Sequence, residues 1–147
     1  MNLTNAGNPN SGGMSLNGGK YVFENCTFTE ITTYNAVDIS GGSIYAVFEN
    51  CTFSNNNRAM HMAPGTSSSD IARYSISNCL FENNSLTSGN ISDRRGAALY
   101  ISGSNYLVEI TGSVFADNRV EGDISYTLGE YGNNSRVDGG AIYVGAA

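Results

Sequence analysis

Phe23-Glu24-Asn25-Cys26-Thr27-Phe28 returns as Phe48-Glu49-Asn50-Cys51-Thr52-Phe53, and again in altered form as Ile76-Ser77-Asn78-Cys79-Leu80-Phe81. A fourth echo, Ile110-Thr111-Gly112-Ser113-Val114-Phe115, keeps the apolar ends and replaces the Asn-Cys centre. Self-similarity at a period of roughly 20–50 residues marks a stacked architecture, in which no unit buries its own apolar face without a neighbour. A second pattern precedes each phrase: small, apolar, polar or aromatic, apolar. It occurs at Gly13-Met14-Ser15-Leu16, Ala36-Val37-Asp38-Ile39, Ala59-Met60-His61-Met62, Ala98-Leu99-Tyr100-Ile101 and Ala141-Ile142-Tyr143-Val144. The starting positions advance by 23, 23, 39 and 43 residues, so a minimal unit is followed by units carrying insertions.

Composition agrees with short strands and tight corners. Charged residues are 14% of the chain, while 19 Asn, 18 Gly and 18 Ser crowd the intervals between apolar patches. Gly and Asn tolerate the left-handed and turn conformations that corners need. No apolar stripe at helical spacing is sustained over three turns, so almost no helix is expected.

Two strands per unit of about 23 residues could build a sandwich, a propeller or a coil of parallel strands. Propeller blades need about 40 residues and four strands, and a sandwich gives no reason for in-register repetition. A parallel β-solenoid does, because like residues stack about 4.8 Å apart on successive rungs. Alternation then turns Val37, Ile39, Met60, Met62, Leu99, Ile101, Ile142 and Val144 inward. Ser15, Asp38, His61, Tyr100 and Tyr143 form an outward column. Asn25, Asn50 and Asn78 are expected to form a corner ladder of side-chain amides, and Phe28, Phe53, Phe81 and Phe115 an internal aromatic stack.

Gly139-Gly140-Ala141-Ile142, the related Gly96-Ala97-Ala98-Leu99, and the Phe-x-x-Asn elements Phe53 to Asn56, Phe81 to Asn84 and Phe115 to Asn118 resemble the paired GGA[ILV] and FxxN repeats of the polymorphic outer membrane protein family. The resemblance covers most of residues 13–144. It departs at Phe28, where the fourth residue is Ile31, and in the first three rungs, which lack the double Gly before the Ala-type strand. It implies a right-handed parallel β-helix in an extracellular adhesin or passenger segment. The expected fold is therefore all-β: a right-handed parallel β-helix of about five rungs with loop insertions. Residues 1–12 are expected to be a flexible segment or linker, and 13–147 a single domain whose last rung is incomplete.

Several functions are disfavoured. The net charge is −6, with 13 acidic and 7 basic residues, and only Arg94-Arg95 cluster, so nucleic-acid binding is not expected. No apolar run reaches the ~18 residues of a membrane span, and residues 1–12 do not have the pattern of a signal peptide. Cys26, Cys51 and Cys79 fall in one column. In-register spacing is slightly too wide for an unstrained bridge, so buried free thiols are expected; a linear stack also cannot surround a metal ion. No cofactor is implied.

Ser15, Asp38 and His61 invite a hydrolase reading, but a triad needs His between Ser and Asp, and the column order is wrong. The densest acidic group, Asp117, Glu121 and Asp123 near Arg119, opens an insertion rather than lying on a strand face. The chain is expected to be a non-enzymatic structural or adhesive module, extracellular or at the cell surface. The alternatives are a carbohydrate-active enzyme, or a carbohydrate-binding module using Tyr100 and Tyr143.

The insertions 64–72, 85–95 and 119–138 are the expected binding surface, with Arg94, Arg95, Tyr126, Tyr131 and Arg136 as contacts. Its expected partners are a surface protein or glycan, and more β-helix at the ends: the chain's own continuation, or a neighbour meeting the 141–144 rung with its residues 14–23. Sequons occur at Asn2, Asn25, Asn50, Asn83, Asn90 and Asn133. Asn90 and Asn133, in loops, are the expected glycan acceptors, whereas Asn25 and Asn50 are expected to be hidden in the corner ladder.

Overall fold

The computed structural model describes residues 1–4, 13–64, 71–86, 94–121, 137–138 and 140–145. The phrase that opens the repeat is bent at its centre. Asn25, Asn50 and Asn78 have φ of 53, 52 and 52°, and Gly112 takes the same place with φ 58°. Left-handed geometry costs most side chains about 1–2 kcal/mol, and Asn and Gly bear it best. The bend splits each phrase between two faces, so a rung has three sides where the sequence suggested two strands.

The first face stacks Ser15, Asp38, His61, Tyr100 and Tyr143 in parallel register. The second stacks Phe23, Phe48, Ile76 and Ile110. The third runs from Leu3 through Phe28, Phe53 and Phe81 to Phe115. In the first two rungs, Met14–Glu24 and Asn35–Glu49 pass through both the first and second faces as continuous strands. They turn at Gly18, Gly19 and Gly41; the φ of 98 and 94° at Gly19 and Gly41 strongly favours glycine, while the 62° at Gly18 is a left-handed turn of the kind seen at the asparagine corners. The described residues contain no helix, so none is long and apolar enough to cross a membrane.

A second left-handed corner follows each internal Phe, at Glu30, Asn55, Asn83 and Asp117. The next position carries the amide ladder. Asn84 Nδ2 donates to Phe53 O at 3.0 Å and to Asn118 Oδ1 at 2.8 Å, while its own Oδ1 accepts from Asn56 N–H and Nδ2 at 3.1 and 3.0 Å. Asn118 and Asn56 reach back in the same way to Phe81 O and Phe28 O. The ladder expected at Asn25, Asn50 and Asn78 is thus displaced to Asn56, Asn84 and Asn118. The former three are exposed corner residues, and Asn25 and Asn50 are not hidden. In the first rung Ile31 stands where the ladder would continue, and only its backbone N–H joins, donating to Asn56 Oδ1 at 3.1 Å.

Inside, Phe28, Phe53, Phe81 and Phe115 stack at 4.7 Å with rings within 5° of parallel. Phe23 and Phe48 form a shorter stack that meets them edge-on. Each stacked pair contributes about 0.5–1.5 kcal/mol beyond its burial. Cys26, Cys51 and Cys79 are buried free thiols. Cys51 and Cys79 each turn Sγ to a carbonyl on their own rung at 3.3 Å and to one on the rung before at 3.5 Å. The Cys79 sulfur beside it and burial together push the Cys51 thiol above its ordinary range.

Three expectations change at the margins of the stack. Asn2–Thr4, inside the segment expected to be a linker, form a strand beneath 27–29, because Thr27 N–H finds Met1 O at 2.9 Å. Ile142 and Val144 keep the inward register but are 38% and 59% exposed, since no described strand lies over them. The insertions begin and end as more ladder: 85–86 pair with 119–120, and 94–95 with 137–138.

Candidate functional site

Polar and aromatic side chains with chemical capacity gather on the outward side of the first face. Alternation on a flat parallel ladder turns every second residue outward, and exact register places those residues in columns. Asp38 and His61 adjoin on successive rungs, with Asp38 Oδ1 3.1 Å from His61 Nδ1. His61 Nε2 lies 3.4 Å from Ser102 Oγ, which sits one rung further along and two residues past Tyr100. The imidazole stacks on the Tyr100 ring at 5.0 Å and 14°, and Tyr100 meets Tyr143 at 5.5 Å.

Arginine closes the flank. Arg58 is buried, donating Nη1–H to Asn35 Oδ1 at 3.1 Å, Nε–H to Gly96 O at 3.2 Å and Nη2–H to Arg95 O at 2.9 Å. Its guanidinium lies 4.8 Å from the Tyr100 centroid. Arg95 covers the Tyr143 ring at 4.6 Å and donates Nη1–H to Tyr143 OH at 2.7 Å. Cation–π contacts of this kind strengthen as water is excluded. The hydrogen bond to His61 holds the Asp38 carboxyl below its ordinary range against the opposing effect of burial; Asn35 and Arg58 add to the lowering.

Of the residues singled out from sequence, Arg95, Tyr100 and Tyr143 come together here. Arg94 pairs through its backbone with Val137. Tyr126, Tyr131, Arg136, Asn90 and Asn133 lie outside the described residues. Arg58 and Ser102 escaped the sequence reading. Alternation could have found Ser102, two residues after the outward Tyr100, but it would have turned Arg58 inward with Met60, two residues on.

The order Asp38, His61, Ser102 corrects the reading that used Ser15. With His61 Nδ1–H donating to the Asp38 carboxylate, the Nε2 lone pair faces the Ser102 hydroxyl, the arrangement of a general base and its nucleophile. An acyl-transfer site also needs donors for the developing oxyanion. Ser102 N–H is already committed to Met62 O at 2.8 Å.

A shallow cleft at the second corner is lined by Asn83, Ser85, Asp117, Asn118 and Arg119. Arg119 Nε and Glu121 Oε1 pair there at 2.9 Å on the exposed surface, while Ser85 Oγ is buried without a partner. Asp123 lies outside the described residues. Among the described residues, no three His, Cys, Asp or Glu side chains gather closely enough to hold a metal ion.

The family model described as right handed beta helix region matches residues 2–145. No curated protein and no solved structure matches the chain.

Proposed function

We infer that this chain, which belongs to the right-handed β-helix family, is a non-catalytic structural or adhesive module working outside the cell or at its surface. The observation that carries the inference is the mutual engagement of the outward side chains on the first face. Tyr100 is buried between His61 and Tyr143, with Arg58 over its ring, so a sugar finds no free aromatic platform there. Such a ladder braces rungs against one another. The likeness of GGA[ILV] and FxxN repeats to the polymorphic outer membrane proteins supports the surface location and the adhesive role.

The test is a turnover screen of the purified chain against pectins, alginates and other acidic polysaccharides. No product is expected. Product formation that disappears in D117A would overturn the reading in favour of a carbohydrate-active enzyme.

The Asp38–His61–Ser102 order favours a second reading, a hydrolase with Ser102 as nucleophile. Hydrolysis of p-nitrophenyl acetate that is lost in both S102A and H61A would establish it. Rates equal in wild type and S102A would dismiss it.

A further inference from the structure

The second face carries an outward surface that the first face's ladder does not explain. Its three columns are Lys20, Tyr45, Arg73 and Leu107; Val22, Val47, Ser75 and Glu109; and Glu24, Glu49, Ser77 and Thr111. The central column runs from Val22 and Val47 to Ser75 and Glu109, and exposed apolar surface lies on it at Val22 (52%) and beside it at Leu107 (52%) and Tyr45 (40%). One margin is basic and the other acidic. Lys20 leans over the Tyr45 ring at 5.2 Å. Among the described residues, no ion pair engages Lys20, Arg73, Glu24, Glu49 or Glu109.

We propose that this face docks on the same face of a second copy of the chain, with the two stacks side by side and parallel, related by a two-fold axis along the Val22–Glu109 column. The arrangement follows from the columns. Such an axis lays each margin on the other copy's opposite margin rung on rung, with Tyr45 over Glu49 and Arg73 over Ser77. Lys20 then faces Glu24 of the second copy, and its lean toward the next rung places it between that residue and Glu49. Arg73 lies one rung from Glu49 of the second copy, and Val22 and Val47 meet their own counterparts.

Turning the second copy head to foot would instead set Val22 against Glu109 and Lys20 against Leu107, matching neither charge nor polarity. The parallel arrangement has one like-charge meeting, Glu109 with its counterpart. Four strands at ~4.8 Å and five residues at ~3.3 Å give a face of roughly 19 by 17 Å, about 320 Å², against ~800 Å² per partner in a standard interface. Association is accordingly weak and sensitive to salt.

This names a partner for the structural role inferred above and rests on that reading. Sedimentation equilibrium of the full chain, at low ionic strength and concentrations up to the millimolar range, tests it. K20E and E24K alone should each weaken dimerisation at least tenfold. The double variant K20E/E24K should regain it, and a mixture of the two single variants should form the heterodimer. E109Q should tighten it. Circular dichroism confirms that each surface variant is folded.

A monomer at all concentrations overturns the proposal. So does a dimer indifferent to K20E, or single variants whose loss is not restored by the pairing. Polysaccharide turnover would sink the structural reading while leaving these association results intact, so the two failures are distinguishable.

Discussion

Two kinds of asparagine share this chain, and substitution should separate them. Asn50 is exposed and matters for its φ of 52°, so Asn50→Gly should shift stability by less than about 0.5 kcal/mol, while Asn50→Ala should cost about 1 kcal/mol. Asn84 is fully buried and matters for its amide. Asn84→Ala orphans Phe53 O and Asn56 N–H, each a buried polar group costing about 1–3 kcal/mol, so a loss of about 3 kcal/mol or more is expected in urea unfolding. Asp38 has its own signature, in pH. Its folded-state pKa is depressed from the ordinary 3.8 by His61. The stability it contributes is therefore complete above about pH 5 and is lost as the pH falls through its unfolded and then its folded value. Asp38→Asn should flatten that acid limb, by under about 1 kcal/mol because the carboxylate is half exposed. A limb unchanged in D38N would remove the Asp38–His61 contact as its cause.

Among the elements, the strands were the most legible part of the sequence. Phe23-Glu24-Asn25-Cys26-Thr27-Phe28 and its copies fixed the register because one slipped residue would turn every buried side chain outward. The third side of each rung was not legible, because an Asn at a corner and an Asn in a ladder are the same letter. Only their positions relative to Phe28, Phe53 and Phe81 distinguish them. The site was less legible still. Asp38, His61, Tyr100 and Tyr143 could be aligned by period, but Ser102 and Arg58 touch them diagonally across rungs, a relation that a one-column reading does not contain. The cysteine column offers an element-scale check. Cys26, Cys51 and Cys79 are buried, so Ellman's reagent should detect almost no thiol in the native chain and all three in denaturant. A single thiol per denatured, unreduced chain would mean that a disulfide joins two rungs.

For the whole molecule, equivalent rungs should be interchangeable. Glu24 stacks on Glu49, so deleting residues 25–49 joins Glu24 to Asn50 with the register intact and leaves 52–54 over 2–4. The shortened chain should keep its β-sheet circular dichroism and unfold cooperatively at a lower temperature, because stability in a stack sums over neighbouring units. Deleting 25–48 instead shifts the junction by one residue and should abolish folding. Equal behaviour of the two deletions would disprove register as the organising constraint. The parallel ladders also give the molecule a direction of mechanical weakness. The hydrogen bonds between rungs run along the stacking axis, so tension between the first and last rungs pulls them open one after another, as a zipper opens, rather than shearing many at once. Each 25-residue rung that yields should lengthen the tether by about 80 Å, its ~85 Å contour less the ~5 Å it spanned when stacked. Stretched under a steady load, a chain of this kind would give way at modest force in countable steps, extending and recoiling as a spring.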